Sequence, residues 1–237
     1  MEEKLRGIVL SSINFGENDK ILNVFTLEKG LVTSKIKGVK KAGAKMKFAS
    51  EPFCFAEFIF SEKSGKRTVI GASLIDSFYP VREDIQAYFM AGAGLEYTRR
   101  TFKEGIVSKE HFLLLVDFLK DLSYSEKDKK SVFITFLLSA LKSSGYEISI
   151  NGCFGCGKEI KEKVYFDYTT GAFICKDCTN DLAREVSLIT YNGLNRLMNG
   201  EQIASEESDR IIRLLDYYID NKLEEKINSL KELIKIL

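Results

Sequence analysis

Two residue constellations in this chain could do chemistry. The first is a cysteine quartet, CFGC at Cys153–Cys156 and CKDC at Cys175–Cys178, with eighteen residues between the pairs. Each C-x2-C turn aims two thiolates at one point, and two such turns complete a tetrahedron around a zinc ion. A closed set of four thiolates leaves no position for water or substrate, so the zinc it implies is structural. A redox pair and two disulfides are the competing readings, disfavoured by the paired spacing and by a reducing compartment. YFDYTTGAF, residues 165–173, reads as the hairpin body of a zinc ribbon with its turn at Thr170–Gly171.

The second constellation is KIKGVKKAGAKMKF, which holds Lys35, Lys37, Lys40, Lys41, Lys45 and Lys47 and no acid. No Asp or Glu occurs between Glu28 and Glu51, although the whole chain is nearly neutral, with 35 basic and 34 acidic residues. Residues 1–81 carry thirteen Lys and Arg against nine Asp and Glu, and the remainder carries 22 against 25. The surplus is therefore local. Lysines between glycines can follow a phosphate backbone and neutralise it without reading sequence. A solvated charge run is the bland alternative.

Other chemistry is thin. There is no phosphate-cradling glycine motif opening a helix, and GAGLEY at 92–97 is a lone glycine pair in a helical pattern. The single histidine, His111, lies beside Phe112 in a helical stretch and reads as a packed or surface residue, not a ligand or base. Cys54, inside FCFAEF, reads as a small buried hydrophobe. The expectation is a binding protein, not an enzyme.

The elements that must position these residues change character near Pro80. Before it, segments 5–13, 20–27, 30–37, 52–61 and 66–78 are rich in β-branched and aromatic residues and bounded by turn residues. Five short strands suggest a small closed barrel, and the OB-fold is the expected form. FCFAEFIF is apolar on both faces, so one side should fill the barrel and the other pack on the rest of the chain. Beyond Pro80 the period is helical, over 82–103, 108–122 and 131–144, the last running into Gly145 as a C-cap. Three more helical stretches follow the cysteines, at 187–198, 205–219 and 222–237. The fold class is thus α+β: an OB-fold domain at 1–80, then a helical domain at 81–237 with an inserted four-cysteine ribbon at about 150–180. The opening MEEKLRG lacks the apolar stretch of a secretory signal, and no run approaches the ~18 apolar residues of a membrane span. A cytoplasmic protein without membrane partners is expected.

The stretch GIVLSSINFGENDKILNVFTLEKGLVTSKIKGVKK resembles the amino-terminal signature of the RecO family, bacterial recombination mediators of DNA repair. The shared pattern is Glu17-x-Asp19 before the second strand, Phe25-Thr26, Gly30, and Lys37-Gly38 followed by Lys40-Lys41. The resemblance spans essentially the whole chain, including the order of barrel, helices and cysteine knuckles and a closing INSLKEL. It implies a non-enzymatic adaptor that binds single- and double-stranded DNA, anneals complementary strands and associates with RecR. It further implies recognition of the tail of the single-stranded-DNA-binding protein, help in loading recombinase, and association with the nucleoid during repair. Under this reading Lys35, Lys37, Lys40, Lys41, Lys45 and Lys47 form the main DNA surface, with Arg99 and Arg100 on the first long helix added to it. The alternative is a zinc-ribbon scaffold whose lysines meet RNA or an acidic protein; strand annealing separates the two.

Overall fold

The computed structural model describes residues 2–223 and 226–237. The chain divides into two compact units, Met1–Ser125 and Glu126–Leu237. In the first, β1 (Glu2–Phe15), β2 (Asp19–Thr26), β3 (Gly30–Ile36), β4 (Phe55–Lys63) and β5 (Lys66–Asp76) close a barrel in the order β1-β2-β3-β5-β4. All neighbours are antiparallel except β3 and β5, which close the cylinder in parallel through Lys35–Thr68 and Ile36–Val69. The long β1 serves two partners. Its first half pairs with β4 and its second with β2, and a bulge between Val9 and Ser11 bends it from one to the other. This is the five-stranded OB-type barrel expected from the strand count.

Period-2 alternation fills the interior with Leu5, Val9, Leu22, Val24, Val32, Ile36, Phe58, Phe60 and Val69, all buried. The opposite face carries Phe25 and Phe55, and these meet the two helices that follow, α1 (Ile85–Thr101) and α2 (Lys109–Tyr124). The Phe25 ring lies 5.2 Å from Phe102 and 6.2 Å from Phe112, and Phe55 lies 5.9 Å from Phe112. The two-faced apolar strand thus finds its second partner within its own unit. The change of texture at Pro80 marks where strands give way to helices, while the compact unit continues to Ser125 because α1 and α2 cover this aromatic face.

The second unit holds α3 (Lys129–Ser143), α4 (Leu188–Met198), α5 (Ser205–Lys222) and α6 (Asn228–Ile236). Between α3 and α4 lies a three-stranded sheet ordered β7-β6-β8, with β6 at Val164–Asp167, β7 at Ala172–Cys175 and β8 at Ala183–Val186. The hairpin of β6 and β7 turns at 168–171, as its sequence suggests; β8, only four residues long with Arg184 and Glu185 exposed, has too weak an alternation to be read. Gly145 ends α3, its N–H bonded to the Lys142 carbonyl. The helix expected over 222–237 is seen as α6 from Asn228, and Glu224 and Glu225 lie outside the described residues. Lys231 clamps α6 to α5, its Nζ 2.7 Å from Asp216 and 2.6 Å from Asp220. Among the described residues, no helix is long and apolar enough to cross a membrane.

Gly30 fixes the entrance to β3. Its φ is +67°, and a Cβ there would fall 1.9 Å from the Ile106 carbonyl oxygen. Gly43 has a similar φ of +74° with nothing within 4 Å of a Cβ. Gly43→Ala should therefore cost only left-handed backbone strain, roughly 1–2 kcal/mol. Gly30→Ala should cost distinctly more, since the 104–107 segment must also move. Thermal unfolding of the two variants tests this, and equal losses would contradict it.

Candidate metal centre and candidate nucleic-acid interface

The four predicted cysteines come together. Their Sγ atoms all lie within 4.8 Å of one another, and Cys156 Sγ is 3.9 Å from Cys175 Sγ. A tetrahedron with metal–sulfur bonds near ~2.3 Å has edges of about 3.8 Å, so the cluster is already close to metal-binding geometry. Backbone bonds build it. The first knuckle is closed by Cys153 N–H to the Lys158 carbonyl (2.8 Å) and Gly157 N–H to the Cys153 carbonyl (2.8 Å). It is tied to β7 by Phe154 N–H to the Phe173 carbonyl at 2.9 Å. The second pair leaves the end of β7 in a tight turn, Lys176–Cys178. Gly155 lets the knuckles meet, because a Cβ there would sit 2.9 Å from Cys178 Cβ.

The sulfurs titrate apart. Burial pushes the Cys153 thiol up, but N–H groups of Cys175, Cys156 and Gly155 outweigh it and hold it at about 6. Hydrogen bonds to the Cys175, Cys156 and Cys153 sulfurs push the Cys178 thiol up to about 12. Four thiolates this close repel one another, and a bound cation is what allows all four to be deprotonated together. The donor set therefore fits a single thiophilic metal ion with no open coordination position.

The lysine run lies at the rim of the barrel, between β3 and β4. Its course is pinned, not loose as its glycines suggest. Gly38 N–H donates to Asp19 Oδ1 at 2.8 Å, Lys40 N–H to the Asn18 carbonyl at 3.1 Å, and Val39 is buried in the barrel core. Met46 and Phe48 pack against the same core, and turns at 41–44 and 44–47 link the two anchors. The side chains of Lys37, Lys40, Lys41, Lys45 and Lys47 are exposed, and none has an ion-pair partner among the described residues. The nearest acids are engaged elsewhere, Glu28 with Arg6 at 3.2 Å and Glu51 with Lys20 at 3.1 Å. Lys35 differs from the other five. Its Nζ is 2.8 Å from Asp19 and sits 4.4 Å from the centre of the Phe15 ring.

Phe15, which sequence reasoning passed over, extends this surface. It is 47% exposed at the tip of the β1–β2 hairpin. The registers set Ile13, Ile21 and Lys35 in one row across β1, β2 and β3, and Ser11, Asn23 and Thr33 in the next row of the same face. Asn23 donates to the Ser11 hydroxyl at 2.9 Å and accepts from Thr33 at 3.1 Å. The available signal was the alternation in SINF, which sets two large apolar residues on one side of a strand that has already left the barrel interior. Neither helical arginine matches the loop lysines in exposure. Both are half-buried, and Arg100, with its side chain 10% exposed, faces Glu96 at 3.9 Å. His111 is fully buried 2.9 Å from the Thr98 hydroxyl, and burial holds its imidazole down at about 4, neutral at pH 7. Cys54 is buried in the barrel core, where desolvation pushes its thiol up to about 12.

Comparisons with known proteins agree along the chain. A family profile described as "Recombination protein O N terminal" matches residues 1–78, and one described as "Recombination protein O C terminal" matches residues 82–231. The chain is 31% identical over 193 residues to DNA repair protein RecO of Rubrobacter xylanophilus, covering 81% of this chain and 77% of that one. It is 29% identical over 228 residues to DNA repair protein RecO of Myxococcus xanthus, covering 94% and 93%. With DNA repair protein RecO of Acetivibrio thermocellus the identity is 23% over 244 residues, covering 99% and 96%.

The sulfur geometry makes a direct prediction. Metal-depleted protein titrated with Co2+ should take up one equivalent and develop the intense visible bands of tetrahedral thiolate coordination. Cys175→Ser should weaken those bands sharply and lower thermal stability, since ligand binding and local folding are one process. A folded protein that takes up no Co2+ would contradict the assignment.

Proposed function

The chain belongs to the RecO family of DNA repair proteins, and from that premise we propose that it is a DNA-binding recombination mediator and not an enzyme. In this reading it anneals complementary strands and helps load recombinase onto DNA coated with single-stranded-DNA-binding protein. One observation carries the proposal: five exposed lysines without carboxylate partners, Lys37, Lys40, Lys41, Lys45 and Lys47, on a rim whose backbone is pinned.

The chemistry follows from charge. Ammonium groups on the rim replace counterions along a phosphate backbone, and the released ions drive binding regardless of sequence. Because phosphate contacts carry no base information, a bound strand keeps its pairing edges free for a complement. Neutralised phosphates also repel an incoming strand less, which is what annealing requires. Phe15, under the Lys35 ammonium, offers a face on which a base can stack. Arg99 is proposed as a further contact of this DNA surface, with Arg100 beside it more closely held by Glu96.

Zinc is the metal we assign to Cys153, Cys156, Cys175 and Cys178, one ion per chain. A closed tetrahedral thiolate set is its usual structural site, and there it would hold the two knuckles together. Family membership supports single- and double-stranded DNA, RecR and the tail of the single-stranded-DNA-binding protein as partners. We assign no residue to the last two.

The test is salt dependence combined with annealing. About four phosphate contacts to single-stranded DNA give a slope near −2.8 in log K against log salt, or roughly 50-fold weaker binding from ~50 to ~200 mM. Changing Lys40, Lys41, Lys45 and Lys47 to Gln should flatten that slope, weaken all sequences alike and slow annealing. The melting temperature should barely move, since solvated lysines contribute little to stability. Phe15→Ala should weaken binding with the slope retained. An unchanged slope and annealing rate in the quadruple variant would place the DNA surface elsewhere.

A further inference from the structure

The chain has seventeen phenylalanines, and only Phe15 and Phe154 are exposed. Every other phenylalanine is buried or half-buried, as expected for a side chain that gains about 1.5–3 kcal/mol from leaving water. Phe154 is the more exposed of the two, at 64%. It is also the less free to hide. Its own N–H is bonded to the Phe173 carbonyl, and it lies between Cys153 and Cys156 in a turn closed by two further backbone bonds of 2.8 Å. The ring is thus presented on a rigid tip whose neighbour, Gly155, has no side chain to cover it.

The tip carries free charge of both signs, with Asp177 exposed beside Lys176 in the turn Lys176–Cys178. Lys158 and Lys176 each follow closely on a metal-site cysteine, both are exposed, and neither has an ion-pair partner among the described residues. Their neighbours Lys161 and Lys163 are neutralised, by Glu159 at 3.2 Å and Glu185 at 3.5 Å. The combination is similar to that at Phe15: a solvent-facing ring on a tight turn, here with exposed lysines on the same cysteine knuckles. An exposed ring offers a face to an unstacked base, and nearby ammonium groups offer partners to the flanking phosphates. A protein partner that used the ring would gain from the two lysines only if it were acidic.

We propose that the first cysteine knuckle is a second contact for single-stranded DNA, in which a base stacks on Phe154 while Lys158 and Lys176 meet the adjacent phosphates. This rests on the DNA-binding reading given above and extends it to a site that the lysine rim does not include. The metal's part is to hold the tip, so that little conformational entropy is lost when a base docks.

The chain contains no tryptophan, which makes a clean test possible. In F154W the substituted position carries the sole indole, on a residue too exposed to disturb the core. Adding a single-stranded oligonucleotide to the full-length, metal-loaded protein should quench that emission, with the same midpoint that anisotropy of a labelled oligonucleotide reports. Phe154→Ala should weaken binding about tenfold, with metal content and melting temperature unchanged, and F154W should restore it. Changing Lys158 and Lys176 to Gln should reduce the salt slope by about 1.4, the share of two phosphates. Unquenched emission at saturating oligonucleotide, with binding still dependent on Lys40, Lys41, Lys45 and Lys47, overturns this inference alone. Quenching and Phe154-dependence with a matched RNA but not with DNA also overturns it. Absence of any oligonucleotide binding by the unmodified protein removes the DNA reading and this inference together.

Discussion

The carboxylate of Asp19 organises the surface on which the functional reading depends. It sits where β2 begins, with Oδ1 accepting the Gly38 N–H at 2.8 Å and Oδ2 facing Lys35 Nζ at 2.8 Å. The β1–β2 hairpin, the end of β3 and the root of the lysine run are thereby joined at one side chain. The Lys35 bond and the Gly38 bond hold its carboxyl below the usual carboxylate range. The sign of this shift matters: the stabilisation is fully present above the ordinary carboxylate pKa and is lost as pH falls through the lowered value. At neutral pH the junction is intact. Lys35 is the lysine spent on it, and its ammonium caps Phe15 while Lys37 and the four lysines beyond Gly38 have no ion-pair partner among the described residues.

A positive patch is useful to a mediator only if it is presented without being neutralised by its own protein. Here the acids nearest in sequence are occupied, Asp19 by Lys35, Glu28 by Arg6 and Glu51 by Lys20. Burial of Val39, with Met46 and Phe48 packed behind it, keeps the loop on the barrel rim and its lysines in solvent. Fixing the backbone in advance lowers the ordering cost of binding, and leaving the side chains mobile lets them follow a strand of any sequence. The cysteine knuckle solves the same problem differently. There, backbone bonds and four sulfurs around one point hold the tip.

Much of this was legible in the sequence because it is local. Alternation disclosed the five strands, helical period the long helices, and cysteine spacing the metal cluster. The residues that carried the family resemblance prove to be paired in space: Asp19 bonds Gly38, the Thr26 hydroxyl donates to the Gly30 carbonyl at 2.9 Å, and Phe25 packs on Phe102, His111 and Phe112. What stayed hidden depends on partners distant in the chain. Lys35 looked like its neighbours until Asp19, sixteen positions earlier, was seen beside it. Two adjacent helical arginines cannot be told apart by pattern, yet one of them is nearly enclosed. The exposure of Phe15 depends on where β1 leaves the barrel, and the reach of the first unit to Ser125 depends on which aromatic face α1 and α2 cover.

The central claim is that the rim lysines touch phosphate. Lysine footprinting measures this most directly: acylate the full-length protein with an amine-reactive reagent, with and without saturating single-stranded oligonucleotide, and quantify each site by mass spectrometry. Lys37, Lys40, Lys41, Lys45 and Lys47 should lose reactivity together as the oligonucleotide binds, while Lys231, already held by Asp216 and Asp220, should react equally in both states. Five rim lysines that keep full reactivity on an oligonucleotide-saturated protein would contradict the account.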